Sequence, residues 1–248
     1  MVLGDRLVWG RVAIFWAGWG LVDVATAGMI GSPVATLQRH AIGVGVEGSL
    51  INRELTFETG ATPDIDMIKL LFRGSYGIVD WVNIFLSIGN VDDDFKVVNF
   101  RGAGADLKFL AEPALAYGGG FKLTLHEFPK FLFGAGGQYE QFTLDGLNSI
   151  TVTRPVDARL KWMEYRFFVG AHLKDVPYFV PYGGLYFTIL NGELRFSPAT
   201  LPTTNVEESH SVGLFYGGDF KVWNKVVLSA ELHLIAENSI AFSLNYTF

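Results

Sequence analysis

The chain has 248 residues, of which 50% are hydrophobic, 15% aromatic and only 18% charged, with a formal net charge of −6. This is too apolar for an ordinary soluble domain, and the acidic balance excludes the clustered cationic surface that a nucleic-acid partner requires. The absence of cysteine removes disulfides, thiolate metal sites and a cysteine-anchored lipoprotein terminus.

The first 27 residues read in the order positive, apolar, small. Arg6 and Arg11 precede the run from Val12 to Val22, which is followed by Ala25-Thr26-Ala27. That is the layout of a secretory signal peptide cleaved after Ala27; its apolar core is short for a retained spanning helix. Residues 28–39, including Pro33, are then expected as a periplasmic lead-in, and residues 40–248 as one domain.

From residue 40 the chain alternates. Ile42, Val44 and Val46 alternate with Gly43, Gly45 and Glu47; Ile68, Leu70 and Phe72 with Lys69, Leu71 and Arg73; Val82, Ile84, Leu86 and Ile88 with Asn83, Phe85, Ser87 and Gly89. Further on, Phe121, Leu123 and Leu125 alternate with Lys122, Thr124 and His126, then Phe131, Phe133, Ala135 and Tyr139 with Gly134, Gly136, Gln138 and Glu140. Tyr165, Phe167, Val169 and Ala171 alternate with Glu164, Arg166, Phe168, Gly170 and His172, and Leu185, Phe187 and Ile189 with Tyr186 and Thr188. Val212, Leu214, Tyr216, Phe220 and Val222 alternate with Ser211, Gly213, Asp219 and Lys221; Leu228, Ala230, Leu232 and Leu234 with Ser229, Glu231 and His233. The last ten residues close the pattern, with Ile240, Phe242, Leu244, Tyr246 and Phe248 on one face and Ala241, Ser243, Asn245 and Thr247 on the other.

After the first stretch no apolar run reaches the ~18 residues of a spanning helix. The remaining structure that satisfies every backbone group inside a bilayer is a closed barrel. About ten antiparallel strands are expected in an all-β, up-and-down transmembrane barrel, with twelve or eight as alternatives. The connections agree: 77–80, 128–130, 174–177 and 223–225 read as tight turns, whereas 58–63, 91–113, 145–158 and 197–209 are longer, and only 236–238 breaks the rule. Within 91–113, Ala105, Leu107, Phe109 and Ala111 alternate again, so this segment either lengthens the fourth strand or adds a hairpin.

A final alternating strand ending in Phe248 resembles the bacterial outer-membrane β-barrel proteins, and within them the small OmpA-type barrel group. The resemblance implies that Phe242, Leu244, Tyr246 and Phe248 are an assembly signal read by the barrel-assembly machinery, with periplasmic chaperones on the way. It implies location in the outer membrane, among lipid and lipopolysaccharide, with periplasmic termini and extracellular long loops. The chain departs from the OmpA pattern in lacking a soluble peptidoglycan-binding domain after the barrel, so cell-wall anchoring is not implied.

Eleven ionisable residues fall on inward faces: Glu47, Lys69, Arg73, Lys122, Glu140, Glu164, Arg166, Asp219, Lys221, Glu231 and His233. A cation facing lipid near the midplane costs about 2–4 kcal/mol, so these belong to the lumen. Mixed signs in a narrow barrel predict paired, sealing contents, and the bulk of Leu71, Phe85, Phe168 and Phe215 points the same way. The expected role is structural or surface-interacting; the alternatives are a narrow, weakly selective channel and an envelope hydrolase or lipid-modifying enzyme.

Other motifs carry less. Gly43-Val44-Gly45-Val46-Glu47-Gly48 matches a dinucleotide fingerprint by letter but lies inside a strand. None of His40, His126, His172, His210 and His233 has metal-ligand spacing, and Glu208-Ser209-His210 is only a rim cluster. Asp92-Asp93-Asp94 reads as a solvated external loop without the full calcium-loop spacing. Asn245-Tyr246-Thr247 matches a glycosylation acceptor only by letter. No cofactor, metal or catalytic residue is expected.

Overall fold

The computed structural model describes residues 29–57, 64–97, 107–110, 112–149, 157–174, 176–197, 203–208 and 211–248. The proposed signal peptide, residues 1–27, lies outside them. Twelve strand segments follow in order: β1 Ile42–Phe57, β2 Asp64–Val79, β3 Val82–Val97, β4 Leu107–Leu110, β5 Ala114–Glu127, β6 Phe131–Ser149, β7 Asp157–Leu173, β8 Phe179–Ser197, β9 Thr204–Glu208, β10 Val212–Trp223, β11 Val226–Leu234 and β12 Asn238–Thr247. All pair antiparallel with their neighbours, and β12 returns to pair with β1 from Gly43↔Thr247 to Asn52↔Asn238, closing the sheet.

The twelve segments make ten staves. β4 and β5 both lie between β3 and β6, and β9 and β10 both pair with β8. The first break falls at Pro113, which has no N–H to give the ladder. The segment 91–113 therefore lengthens its stave rather than adding a hairpin. The expectation that Asp92-Asp93-Asp94 lies in a loop is corrected: these residues belong to β3, opposite Ile68, Met67 and Asp66 of β2. The unbroken β2–β3 ladder carries the chain past the acidic run.

One end of the barrel carries short turns and the carboxy terminus; the other carries the longer connections. Near the turn end the ladders slip at Gly77/Val79, Thr124/His126 and Lys221/Trp223, irregularities that add local twist at a barrel rim. At the loop end β6 and β8 reach 19 residues each, roughly twice the 9–11 needed to cross a bilayer. The β11–β12 hairpin is short, and above it β9 bridges the gap by pairing with both β8 and β1.

Alternation sets the two faces. Ile42, Leu70, Phe72, Leu86, Ile88, Leu115, Phe167, Leu185, Tyr216, Leu232 and Leu244 are exposed on the outside, while their neighbours Glu47, Lys69, Leu71, Phe85, Glu164, Phe168, Tyr186, Phe215 and Glu231 are buried within. An apolar exterior around a charged, fully packed interior is stable only when the outside solvent is hydrocarbon. The molecule is a transmembrane β-barrel.

Residues 29–37 depart from the expected lead-in, because they fold up into the barrel instead of hanging below it. Met29, Ile30, Ser32, Val34, Ala35 and Leu37 are all buried. Two glycines make room for the entering chain: a Cβ on Gly134 would lie 2.6 Å from the carbonyl oxygen of Pro33, and one on Gly77 would lie 2.1 Å from that of Gln38. Apolar side chains in this stretch leave water, and the polar groups lining the lumen satisfy its backbone.

Candidate functional site

Two layers of charge and one inserted segment fill the lumen. The outermost layer centres on Glu237, at the β11–β12 turn. Its carboxylate accepts from Arg53 Nη2, from Arg166 Nη2 at 3.0 Å and from Ser239 Oγ at 3.3 Å, and lies 2.6 Å from His233 Nδ1. Glu164 completes the ring, accepting from Arg53 Nη1 at 2.8 Å, Arg166 Nη2 at 2.7 Å and Trp162 Nε1 at 3.3 Å. On its other side His233 meets Glu231, Nε2 to Oε1, at 2.6 Å. The Arg166 guanidinium also stacks over Tyr186, 4.9 Å from the ring centre.

Above this layer, toward the loop end, Leu55, Phe142, Leu144, Leu160, Trp162 and Leu194 are buried among one another. Phe142 and Trp162 stack with centroids 5.4 Å apart, closing that end of the lumen with hydrocarbon.

The second charged layer joins Glu47 to Arg73 at 2.8 Å and Lys69 to Glu140, with the Arg73 guanidinium 4.4 Å over the Phe85 ring. A cavity between Glu47, Leu71, Arg73, Phe85, Gln138 and Glu140 has a volume of about 10 Å³, the lower limit for one water.

The inserted segment rests on these groups. Met29 N donates to Glu47 Oε1 at 3.1 Å, and Arg73 Nη2 donates to Met29 O at 3.0 Å. Both oxygens of Glu231 are taken up, by Ile30 N at 2.8 Å and Gly31 N at 2.9 Å. Gly31 adopts φ +68°, a conformation costly for any side chain, beside Lys122. Ser32 Oγ meets His172 Nδ1 at 2.7 Å, and Ala35 N donates to Thr124 Oγ1 at 3.2 Å. Asn83, in the amide orientation its surroundings require, accepts from Thr36 N and Leu37 N at 2.9 Å each. Asp80 then caps Arg39 N at 2.9 Å, and Gly77 O receives His40 N at 2.7 Å.

Of the eleven residues expected inside, Glu47, Lys69, Arg73, Glu140, Glu164, Arg166, Glu231 and His233 sit in these paired layers. Asp219 accepts from Ser229 Oγ at 2.7 Å nearer the turn end, Lys122 lies half-buried beside Gly31 of the inserted segment, and Lys221 is exposed at that rim. Arg53 and Glu237 are hubs that the alternation of 42–47 and 228–234 did not reach. Arg53 continues the inward parity of Glu47, Ser49 and Ile51 along β1 and is legible in that way. Glu237 sits in a turn and gives no periodic signal.

Among the described residues no histidine holds a serine and a carboxylate together: His172 bonds only Ser32, and His233 bonds carboxylates inside the sealed network. Ser209 and His210 lie outside the described residues. Among the described residues no group of three or more histidines and carboxylates is arranged to hold a metal ion.

Comparison with solved structures places the fold among bacterial outer-membrane barrels. The translocator domain of autotransporter NalP from Neisseria meningitidis matches with a TM-score of 0.51 at 7% identity, covering 86% of this chain and 89% of that one. An outer membrane channel from Pseudomonas putida F1 gives 0.44 at 12% identity, covering 88% and 98%. The outer membrane protease OmpT from Escherichia coli gives 0.48 at 12%, covering 84% and 97%. At these identities the likeness is one of fold. No family model and no curated protein sequence matches the chain.

Proposed function

We propose that this chain is an integral outer-membrane barrel with a closed lumen, turn end in the periplasm and loop end outside, whose role is structural or surface-interacting and carried by its external rim. The observation that supports it best is the filling of the lumen: an apolar layer, two layers of paired charge and the inserted segment 29–37 occupy successive levels of it. A carboxylate or guanidinium in such a site is stable only while paired, so each charge that blocks the path also holds its neighbour in place. No catalytic role or cofactor is assigned.

Proteoliposome swelling tests this reading. Vesicles carrying the folded protein, shown to be folded by faster migration of the unboiled sample on a gel, should swell in arabinose no faster than protein-free vesicles. Swelling that scales with protein content would support the narrow-channel reading instead.

A further inference from the structure

The inserted segment stops where the lumen has one small place left. From His40, at φ +63°, it climbs from the turn-end rim past Asn83, Thr124 and His172 to Met29, which is bonded to both Glu47 and Arg73. Ahead of Met29 the way is shut by the Lys69–Glu140 pair, the Arg53–Glu237 network and the Phe142–Trp162 stack, and behind it the segment itself fills the lumen. The cavity at this point, bounded by Glu47, Arg73, Gln138 and Glu140, holds about 10 Å³. That is room for one nitrogen with its hydrogens and none for a further residue.

Two buried acceptors on the wall of this cavity lack a donor. The amide oxygen of Gln138 is closed off from solvent with no hydrogen-bond partner, and Glu47 Oε2, although 2.8 Å from Arg73 Nη2, accepts no aligned N–H. A buried acceptor left in that state costs free energy comparable to a lost hydrogen bond. Cleavage after Ala27 makes Gly28 the first residue, and the three bonds between its nitrogen and Met29 N hold the two within about 4 Å. Met29 N is itself 3.1 Å from Glu47 Oε1. The new α-amine is thus delivered to the wall that lacks donors, bringing up to three N–H bonds, and as a cation it faces the carboxylates of Glu47 and Glu140. Arg73 Nε also has no partner, so a water is the competing occupant, and the reactivity of the amine separates the two.

We infer that this cavity is a receptor for the chain's own processed amino terminus: removal of the leader creates the α-amine that seats residues 29–37, so closure of the turn end of the lumen depends on that cut. The inference rests on cleavage after Ala27 and on the barrel reading. The test uses the full chain, expressed with its leader and purified from outer membranes, its first residue read from the intact mass. 2-Pyridinecarboxaldehyde, which labels only α-amines, should react with the folded protein at least about tenfold more slowly than with the boiled chain. Gln138→Leu, which fills the cavity and removes an acceptor, should speed labelling of the folded protein about tenfold, the scale of one charge-assisted bond, and Lys225→Ala at the turn-end rim should not. Four residues, Gly-Ser-Gly-Ser, inserted between Ala27 and Gly28 should give the boiled rate without boiling and expose a His172→Cys thiol to a membrane-impermeant maleimide. An amine equally reactive in the folded and boiled chain, with the His172→Cys thiol still protected, would overturn the inference and leave the cavity to water. So would a protected thiol in the extended chain. A first residue other than Gly28 would defeat the cleavage on which the inference rests, whereas loss of heat-modified gel mobility in the same samples would defeat the barrel reading itself.

Discussion

Ile235 has φ +81°, a left-handed backbone that a β-branched residue adopts at a cost of about 1–3 kcal/mol. What holds it there lies two residues on. The turn must deliver the Glu237 carboxylate inward to Arg53, Arg166 and His233, and the bonds to three buried partners outweigh the strain. Ile235 itself is exposed, so its side chain gives little in return. Ile235→Gly should therefore raise unfolding stability in detergent by about 1 kcal/mol, measured by urea titration of the heat-modifiable band. A loss of stability would mean that the turn is not strained. Glu237→Gln should do the opposite, because Arg53 and Arg166 lose a buried counter-charge; a loss of about 3–5 kcal/mol is expected, and a second change, Arg53→Met, should recover part of it. An Arg53→Met/Glu237→Gln pair no more stable than Glu237→Gln alone would show that the two do not act as a unit.

At the scale of elements, strands were legible and the inserted segment was not. A period of two survives in every stave because lipid on one side and packed polar groups on the other penalise a one-residue slip along the whole strand. The paired turns near 80, 129 and 224 followed from the same pattern. Residues 29–37 show no such pattern, since a chain without strand neighbours takes its partners from wherever the lumen offers them: Glu231, Thr124 and His172, far away in sequence. Nor can alternation say which inward charges meet, because that depends on the stagger of the staves. Deleting 29–37 should leave the apolar layer at the loop end closed while opening the turn end. His172→Cys should then react with a membrane-impermeant maleimide in the deleted protein and stay protected in the full chain; equal reactivity in both would place the segment outside the barrel.

The closing strand has a separate consequence. Phe248 N donates to Ile42 O at 2.9 Å, but its ring is largely exposed and contributes little to packing inside the barrel. Phe248→Ala should fold in detergent as well as the parent while accumulating severalfold less in the outer membrane of cells. Loss in both settings would make the residue structural rather than an assembly signal.

For the molecule as a whole, closure and filling are separate properties. Closure removes sheet edges, which any chain crossing a bilayer in strands requires. Filling is specific to this sequence: Trp162 and Phe142 toward one end, the Arg53–Glu237–Arg166–Glu164 network in the middle, and Met29 to Leu37 toward the other. Strand number sets the width of a barrel, and what occupies that width here is inward side chains together with an inserted stretch of backbone. Single-channel recording in a planar bilayer tests the filling most directly. The folded protein should give a flat baseline over a range of voltages at high salt, and discrete, voltage-independent conductance steps from the intact chain would contradict a closed lumen.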